Sequence, residues 1–327
     1  MPSPLPGTFF FAPLAELSTL PLRRCVRSFS RDAVLFSEML SANLVLRGGK
    51  NNRPMLAKDP GDEPFIWQLL GRDPVMMAEA AARLEPSASG IDINMGCSAP
   101  EILLAGVGSA LLKDEQLARQ IVRSCRTAVK GTLSVKIRAG FDEVDAAFTL
   151  RFCSMLADEG ADWVVIHPRA AKLAFRRSAD WNVIRHVKES LPIPVVGNGD
   201  VRDAESAVGK LREGFCDAVM IARCAVQKPW IFASCDALVS GNARAGRRVD
   251  LFETAVSVLD GIEAELPPEL HKSRAHRFLF YYCKNFIFGH ELNTKVRGTN
   301  SLGEMKSLIE GYCARNPHER FLELWAV

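Results

Sequence analysis

Apolar residues along this chain recur in short, nearly unbroken runs, and longer stretches with helical spacing of apolar positions lie between them. The runs occupy 8–12 (TFFFA, closed by Pro13), 33–39 (AVLFSEM, ending at Glu38), 64–71 (PFIWQLLG) and a fourth beginning at Ile91 (IDINMGC). Four more follow at 133–140 (LSVKIRAG), 162–170 (DWVVIHPRA), 193–200 (IPVVGNGD) and 216–223 (CDAVMIAR). Between them the spacing predicts helices over Pro74–Leu84, after an N-cap at Asp114, and from Val144 to Glu159 with Gly160 as the stop. In the second of these, Leu117, Ile121, Val122 and Cys125 fall on one face, so Cys125 reads as core. Eight strand candidates alternating with helices predict an α/β fold, a (β/α)8 TIM barrel. Beyond about Val239 the pattern changes to a linker-like GNARAGRRVD and then to helical periodicity through Val327 without strand runs. The expected division is a barrel over 1–240 and a small C-terminal helical domain over 241–327.

Composition narrows the class. A hydrophobic content of 48% supports a large core, and a net charge of +3 permits an anionic partner without demanding one. Nine cysteines form no C-x-x-C pair and no zinc-type spacing, so no metal site is expected, and free thiols fit a reducing, cytoplasmic setting. The N-terminus has no basic region ahead of its short apolar run, and no run reaches the ~18 residues of a membrane span. A soluble protein without a membrane association is expected.

In a TIM barrel, chemistry sits where the strands end. Here the strand ends offer Pro13, Glu38, Gln68, Asn94, Lys136, His167, Asn198 and Arg223. Cys97 stands just past the fourth strand, and the loop after it, with Gly106 and Gly108, is longer than a plain turn of ~2 to 6 residues. A free cysteine is often only a small buried hydrophobe, but position at a strand end beside Asn94 marks Cys97 as the candidate reactive group. Lys136 and Arg138 share a strand face by period-two alternation, and two cations facing a barrel interior are costly unless an anion or electron-rich ligand meets them. Gln68, an amide inside an apolar run, is either a satisfied core residue or a ligand contact. The Gly197-Asn198-Gly199-Asp200 turn and the Ala222-Arg223 pair follow strands seven and eight, where barrels commonly bind phosphate, so a phosphorylated cofactor is expected.

Two basic features lie outside these strand ends. Arg23, Arg24, Arg27 and Arg31 lie on one predicted helix, as either a solvated face or a phosphate contact. The C-terminal stretch mixes cations with aromatics, as in YYCKNFIFGH, and suggests a surface for RNA.

With these residues in place, the chain resembles the tRNA dihydrouridine synthases along nearly its whole length. The resemblance rests on FFFAPLA, FSEM, QLLG, IDINMGC with the later GVGSALL, VKIRAG, His167, ADW, PVVGNGD, and VMIAR with PW, in that order and spacing. It implies an FMN-dependent oxidoreductase acting on a CH–CH bond, with NADPH as reductant, tRNA as partner, and reduction of the uridine C5–C6 double bond. Carried over, the catalytic cysteine falls on Cys97 and the flavin contacts on Pro13, Gln68, Lys136, His167, Asn198, Gly199, Ala222 and Arg223. Asn94 and Arg138 fall beside the target base. Ser98 stands where the family usually has proline, Pro168 where glycine is common, and Ala222 where glycine usually precedes Arg223.

The implied chemistry suits the residues. A thiol, with a usual pKa of ~8.5, is mostly protonated at neutral pH and can protonate one uracil carbon while hydride reaches the other. The base has to leave its stack to reach a barrel mouth. A small-molecule FMN oxidoreductase of the dihydroorotate or dihydropyrimidine type would share the barrel and a strand-end cysteine without needing the helical tail. A non-catalytic RNA-binding descendant would keep the tail and lose the flavin. The protein is expected to act as a monomer.

Overall fold

The computed structural model describes residues 5–49, 53–173, 177–241 and 247–324. Eight parallel strands form the expected barrel: β1 (Phe9–Phe11), β2 (Leu35–Ser41), β3 (Phe65–Leu70), β4 (Gly90–Met95), β5 (Thr132–Arg138), β6 (Trp163–His167), β7 (Val195–Asn198) and β8 (Ala218–Ile221). The sheet order runs from β1 through β8 and back to β2, and β1 meets the start of β2 through a bridge between Phe10 and Val34. Strands buried on both faces need apolar side chains on both, which is why the runs are continuous rather than alternating. Inside the barrel Phe10, Phe36 and Trp163 pack tilted or edge-on, with ring centroids 5.4 to 6.5 Å apart. These rings fill the interior with packed apolar side chains.

The surrounding helices are α1 (Leu20–Phe29), α2 (Ala42–Arg47), α3 (Pro74–Leu84), α4 (Pro100–Leu104), α5 (Glu115–Ala128), α6 (Ala146–Asp158), α7 (Trp181–Ser190), α8 (Ala204–Arg212), α9 (Arg223–Gln227) and α10 (Ile231–Ser240). Aspartate side chains cap α3, α5, α6, α7 and α8 by accepting N–H groups of the first turn, with Asp114 in its expected place. Cys125 is fully buried. Two short helices, α2 and α4, have no periodicity long enough to show in the sequence. β2 continues three residues past Glu38, with an irregularity between Phe36 and Met39 that resets its register on β3. Of the polar loop 47–54, residues 50–52 lie outside the described residues.

The C-terminal part is helical, as expected, with one small two-stranded sheet in addition. It contains β9 (Arg247–Asp250), α11 (Leu251–Glu265), α12 (Pro268–Tyr282), α13 (Gly289–Arg297), α14 (Leu302–Arg315) and β10 (Phe321–Leu324). β9 and β10 pair antiparallel, Asp250 opposite Phe321. Residues 242–246 of the expected linker lie outside the described residues, whereas 247–250 are strand. Four-residue strands whose partners are over seventy positions apart leave no periodic signal. The tail packs closely on the barrel: Gly261 of α11 lies so near Pro21 of α1 that a Cβ there would sit 2.9 Å from the proline Cβ. Buried apolar residues of both parts form one continuous cluster. Among the described residues no helix is long and apolar enough to cross a membrane.

In the arginine cluster Arg23, Arg24 and Arg27 are engaged by groups of the protein itself rather than presented as a free basic face. Arg23 is 2% exposed and binds Asp62 through Nε and Nη2, at 3.1 and 3.0 Å, and the carbonyls of Ser18 and Ala57. Arg27 donates to the carbonyls of Ser30, Ala33 and Asp62, and Arg24 pairs with Asp59 and with Glu265 of α11. Arg24 and Arg31 are exposed, Arg24 within its two ion pairs and Arg31 beyond the end of α1. The cluster therefore staples α1 to the segment before β3 and to the tail.

Candidate functional site

The carboxyl ends of the strands surround a cavity of about 400 Å³, within the ~300–1,000 Å³ range of small-molecule sites. Pro13, Asn94, Cys97, Lys136, Arg138, His167, Asn198, Ala222 and Arg223 all line it. Register explains the convergence: Asn94 lies opposite Lys136 across β4 and β5, and Arg138 opposite His167 across β5 and β6. Gly199 lines a smaller adjoining hollow with His167, Arg169, Asp200 and Arg223. Gln68 is fully buried and does not line the cavity. It lies opposite Asp92, and its carboxamide binds Asp92 on one side and Asn94 on the other. Of the departures from the resembled pattern, Ser98 lines the cavity and Ala222 lines both hollows.

Cys97 is held through its backbone. The Asn94 Oδ1 accepts from the N–H groups of Gly96 at 3.1 Å and Cys97 at 2.9 Å. The Cys97 carbonyl accepts from the N–H and the hydroxyl of Ser109, at 2.8 and 2.9 Å. Arg138 Nε donates to the Gly96 carbonyl at 3.0 Å. Gly108 makes the return possible: its φ is +62°, and a Cβ there would lie 2.7 Å from the Cys97 carbonyl oxygen. Of nine cysteines, Cys97 alone is not buried.

Charge in the cavity is strongly one-sided. Burial lowers the Lys136 ammonium to about 8, helped by the charge of Arg138 and opposed by Asp92. Burial and Arg169 lower Arg138 to about 10, which leaves it cationic at neutral pH. His167 is driven well below its ordinary value by burial and then by Lys136, Arg138, Arg169 and Arg223, so its ring is neutral. Arg169 Nη1 lies 3.2 Å from His167 Nε2, and an arginine can only donate, so the ring proton sits on Nδ1. Such a concentration of positive charge in a partly buried site is suited to an anionic or electron-rich ligand.

Arg169 and Asp200 are functional candidates that strand-end reading missed. Arg169 Nη2 binds both Asp200 oxygens at 2.7 Å, and the Ala179 N–H donates to the same carboxylate. Burial works against the Asp200 charge, but Arg169 and Ala179 outweigh it and hold the carboxyl below its ordinary value. The pair fixes the turn after β7, where Gly199 has φ +138° and a Cβ would stand 3.1 Å from His167. The signal available was Arg169 itself, two residues beyond a strand-end histidine. Arg176 lies outside the described residues, whereas Lys172 is exposed and pairs with Asp142 at 2.7 Å.

Comparisons with known proteins place the chain in a family. The family model for dihydrouridine synthase (Dus) matches residues 10–313. The tRNA-dihydrouridine synthase B of Pseudomonas aeruginosa is 34% identical over 236 residues, 72% of this chain and 70% of the relative. A probable tRNA-dihydrouridine synthase 1 of Synechocystis is 31% identical over 301 residues, covering 91% of this chain and 84% of the relative. Among solved structures, histamine dehydrogenase from Rhizobium sp. 4-9 superposes with a TM-score of 0.54 at 14% identity, over 77% of this chain and 48% of that one. A 6-hydroxypseudooxynicotine amine oxidase from Pseudomonas geniculata gives 0.55 at 14% identity, over 76% and 50%. The chain spans about half the length of these two structures, and the likeness is one of fold.

Proposed function

The chain belongs to the dihydrouridine synthase family, and from that premise we propose that it reduces the C5–C6 double bond of specific uridines in cytoplasmic tRNA to 5,6-dihydrouridine. In this reading residues 1–240 carry FMN, residues 241–327 recognise the RNA, NADPH is the reductant and the protein works as a monomer. What supports it most is one coincidence: the only cysteine not buried opens onto the same cavity as Lys136, Arg138 and a neutral His167.

Pro13, Lys136, His167, Asn198, Gly199, Ala222 and Arg223 are the residues that would hold FMN, with Gln68 acting from beneath through Asn94. Arg223 and the turn at Gly199 suit its phosphate, by charge and by close backbone approach. When bound and reduced by NADPH, FMN supplies a hydride to one carbon of the uracil double bond. Cys97 Sγ gives its proton to the neighbouring carbon, so that a hydride and a proton together complete the saturated bond. Lys136 and Arg138 supply positive charge where the reduction accumulates negative charge. Asn94 and Arg138 hold the flipped base.

The deciding experiment maps dihydrouridine in tRNA from cells with and without this chain. Loss of the modification at a defined position, restored on re-expression, is expected. An unchanged pattern, together with purified protein that takes up no flavin, overturns the reading.

A further inference from the structure

A buried polar relay runs beneath the cavity, and the chemistry described above uses Asn94 and, through it, Gln68, but neither Asp92 nor Ser134. The Ser134 hydroxyl donates to Asp92 Oδ1 at 2.6 Å, and Gln68 Nε2 donates to Asp92 Oδ2 at 2.7 Å. Asn94 Nδ2 donates to Gln68 Oε1 at 2.8 Å, and Asn94 Oδ1 accepts from the N–H groups of Gly96 and Cys97. Asp92, Gln68 and Ser134 are fully buried, and Asn94 is 5% exposed. Cross-strand register puts Gln68 opposite Asp92 and Asp92 opposite Ser134, so three adjacent strands contribute to one chain of bonds.

We propose that Asp92 is a positioning residue for the proton donor: it fixes the direction of this amide relay and thereby holds the Cys97 backbone over the cavity. The proposal rests on the reading of Cys97 as the acid. The argument is one of donors and acceptors. A carboxamide fits a cavity of its shape in two orientations that differ only in which end donates. The Gly96 and Cys97 N–H groups can only donate, and a carboxylate can only accept. With one such group at each end, both amides between them have a single orientation that satisfies every atom. Without Asp92, the Gln68 amide protons lose their buried acceptor, and the cheapest relief is a rotation that also releases Asn94.

Beyond the relay, Asp92 acts on the site only through its charge, which favours the Lys136 ammonium. Among the ion pairs of the described residues it has none, and Ile91 and Ile93 on either side are ordinary core. Burial raises its carboxyl to about 6, against the hydrogen bonds from Ser134 and Gln68, so the position costs stability that an apolar side chain would not.

The test uses flavin-loaded protein and two readouts. Native-state alkylation by iodoacetamide reports Cys97, because the other eight cysteines are buried. Single turnover of prereduced protein with an unmodified tRNA transcript reports proton and hydride transfer. Asp92→Ala is expected to alkylate several-fold faster and to slow transfer by about tenfold to hundredfold, the scale of a misplaced catalytic group, while flavin reduction by NADPH is unchanged. Asp92→Asn is expected to stay near the parent in both, because its Oδ1 can still accept from Gln68 while its Nδ2 donates to a rotated Ser134 hydroxyl. If Asp92→Ala changes only one of the two readouts, or neither, the proposal is overturned. Should that variant not fold, Gln68→Met breaks the relay one link further on, and an unchanged alkylation rate there overturns it equally. Cys97→Ala in the same turnover assay separates the two readings: parental transfer by Cys97→Ala sinks the acid assignment, whereas the alkylation arm still judges the relay.

Discussion

Glu16 Oε1 lies 3.0 Å from Arg274 Nη1, an ion pair that joins the loop after β1 to helix α12 of the C-terminal part. The second Glu16 oxygen engages Arg277, and the Glu16 N–H donates to the buried carboxylate of Glu38 in β2. Glu16 has φ +65°, a left-handed backbone that a residue other than glycine keeps only when its surroundings hold it. Leu14 and Ala15, immediately before it, line the cavity. The wall of the cavity is therefore set partly by the tail.

Glu16→Ala and Arg274→Ala are each expected to release flavin faster than the parent. Because both remove the same contact, the double variant should add less than the sum of the two. Melting temperature is expected to move little, since a partly exposed pair contributes ~1 kcal/mol or less. Release followed by flavin fluorescence after dilution checks this; additive effects would separate Arg274 from the loop.

Cys97→Ala is expected to divide the reaction. Bleaching of the flavin by NADPH needs no proton donor to uracil and should continue at the parental rate. Transfer to RNA should slow by about 10² to 10⁴, the usual contribution of a positioned acid. Rapid-mixing measurement of each half-reaction checks the split.

Lys136→Met is expected to abolish turnover yet stabilise the flavin-free protein at neutral pH. The ammonium is held at about 8 in the fold against about 10.5 in the unfolded chain. Below pH 8 both states carry the charge and the fold bears the full burial penalty, on the order of 3 kcal/mol. Between pH 8 and 10.5 the unfolded state binds more protons, so the parent gains stability as pH rises. The melting-temperature gap between variant and parent should accordingly be largest near pH 7 and close by about pH 10. A gap independent of pH would remove Lys136 as its cause.

Arg23→Met is expected to destabilise by about 3 to 5 kcal/mol, because it strands a buried Asp62 that is 1% exposed. Arg23→Met with Asp62→Leu should recover much of this loss. RNA affinity per folded molecule is expected to stay at the parental value, since neither group reaches the surface. Denaturant melts and RNA titration of the same preparations provide the comparison.

The barrel was legible from adjacent residues because its cause is local. A strand buried on both faces must be apolar throughout, and a helix packed on it must repeat its apolar positions at helical spacing. Period-two alternation likewise put Lys136 and Arg138 on one face, and Cys97 and His167 drew notice simply by standing at strand ends. What the order of residues does not carry is which distant positions become neighbours. Cross-strand register pairs Gln68 with Asp92 and Asp92 with Ser134, which ties Gln68, legible only as a core amide or a ligand contact, into a relay beneath the cavity. Arg23 reads in the sequence as a solvated charge or a phosphate contact, because its partner, Asp62, stands 39 positions on. The strands β9 and β10 and the tie between Glu16 and Arg274 have the same origin. A hydrogen bond or ion pair across such a separation needs only one suitable residue at each end, and one residue has no periodicity by which the sequence could announce it.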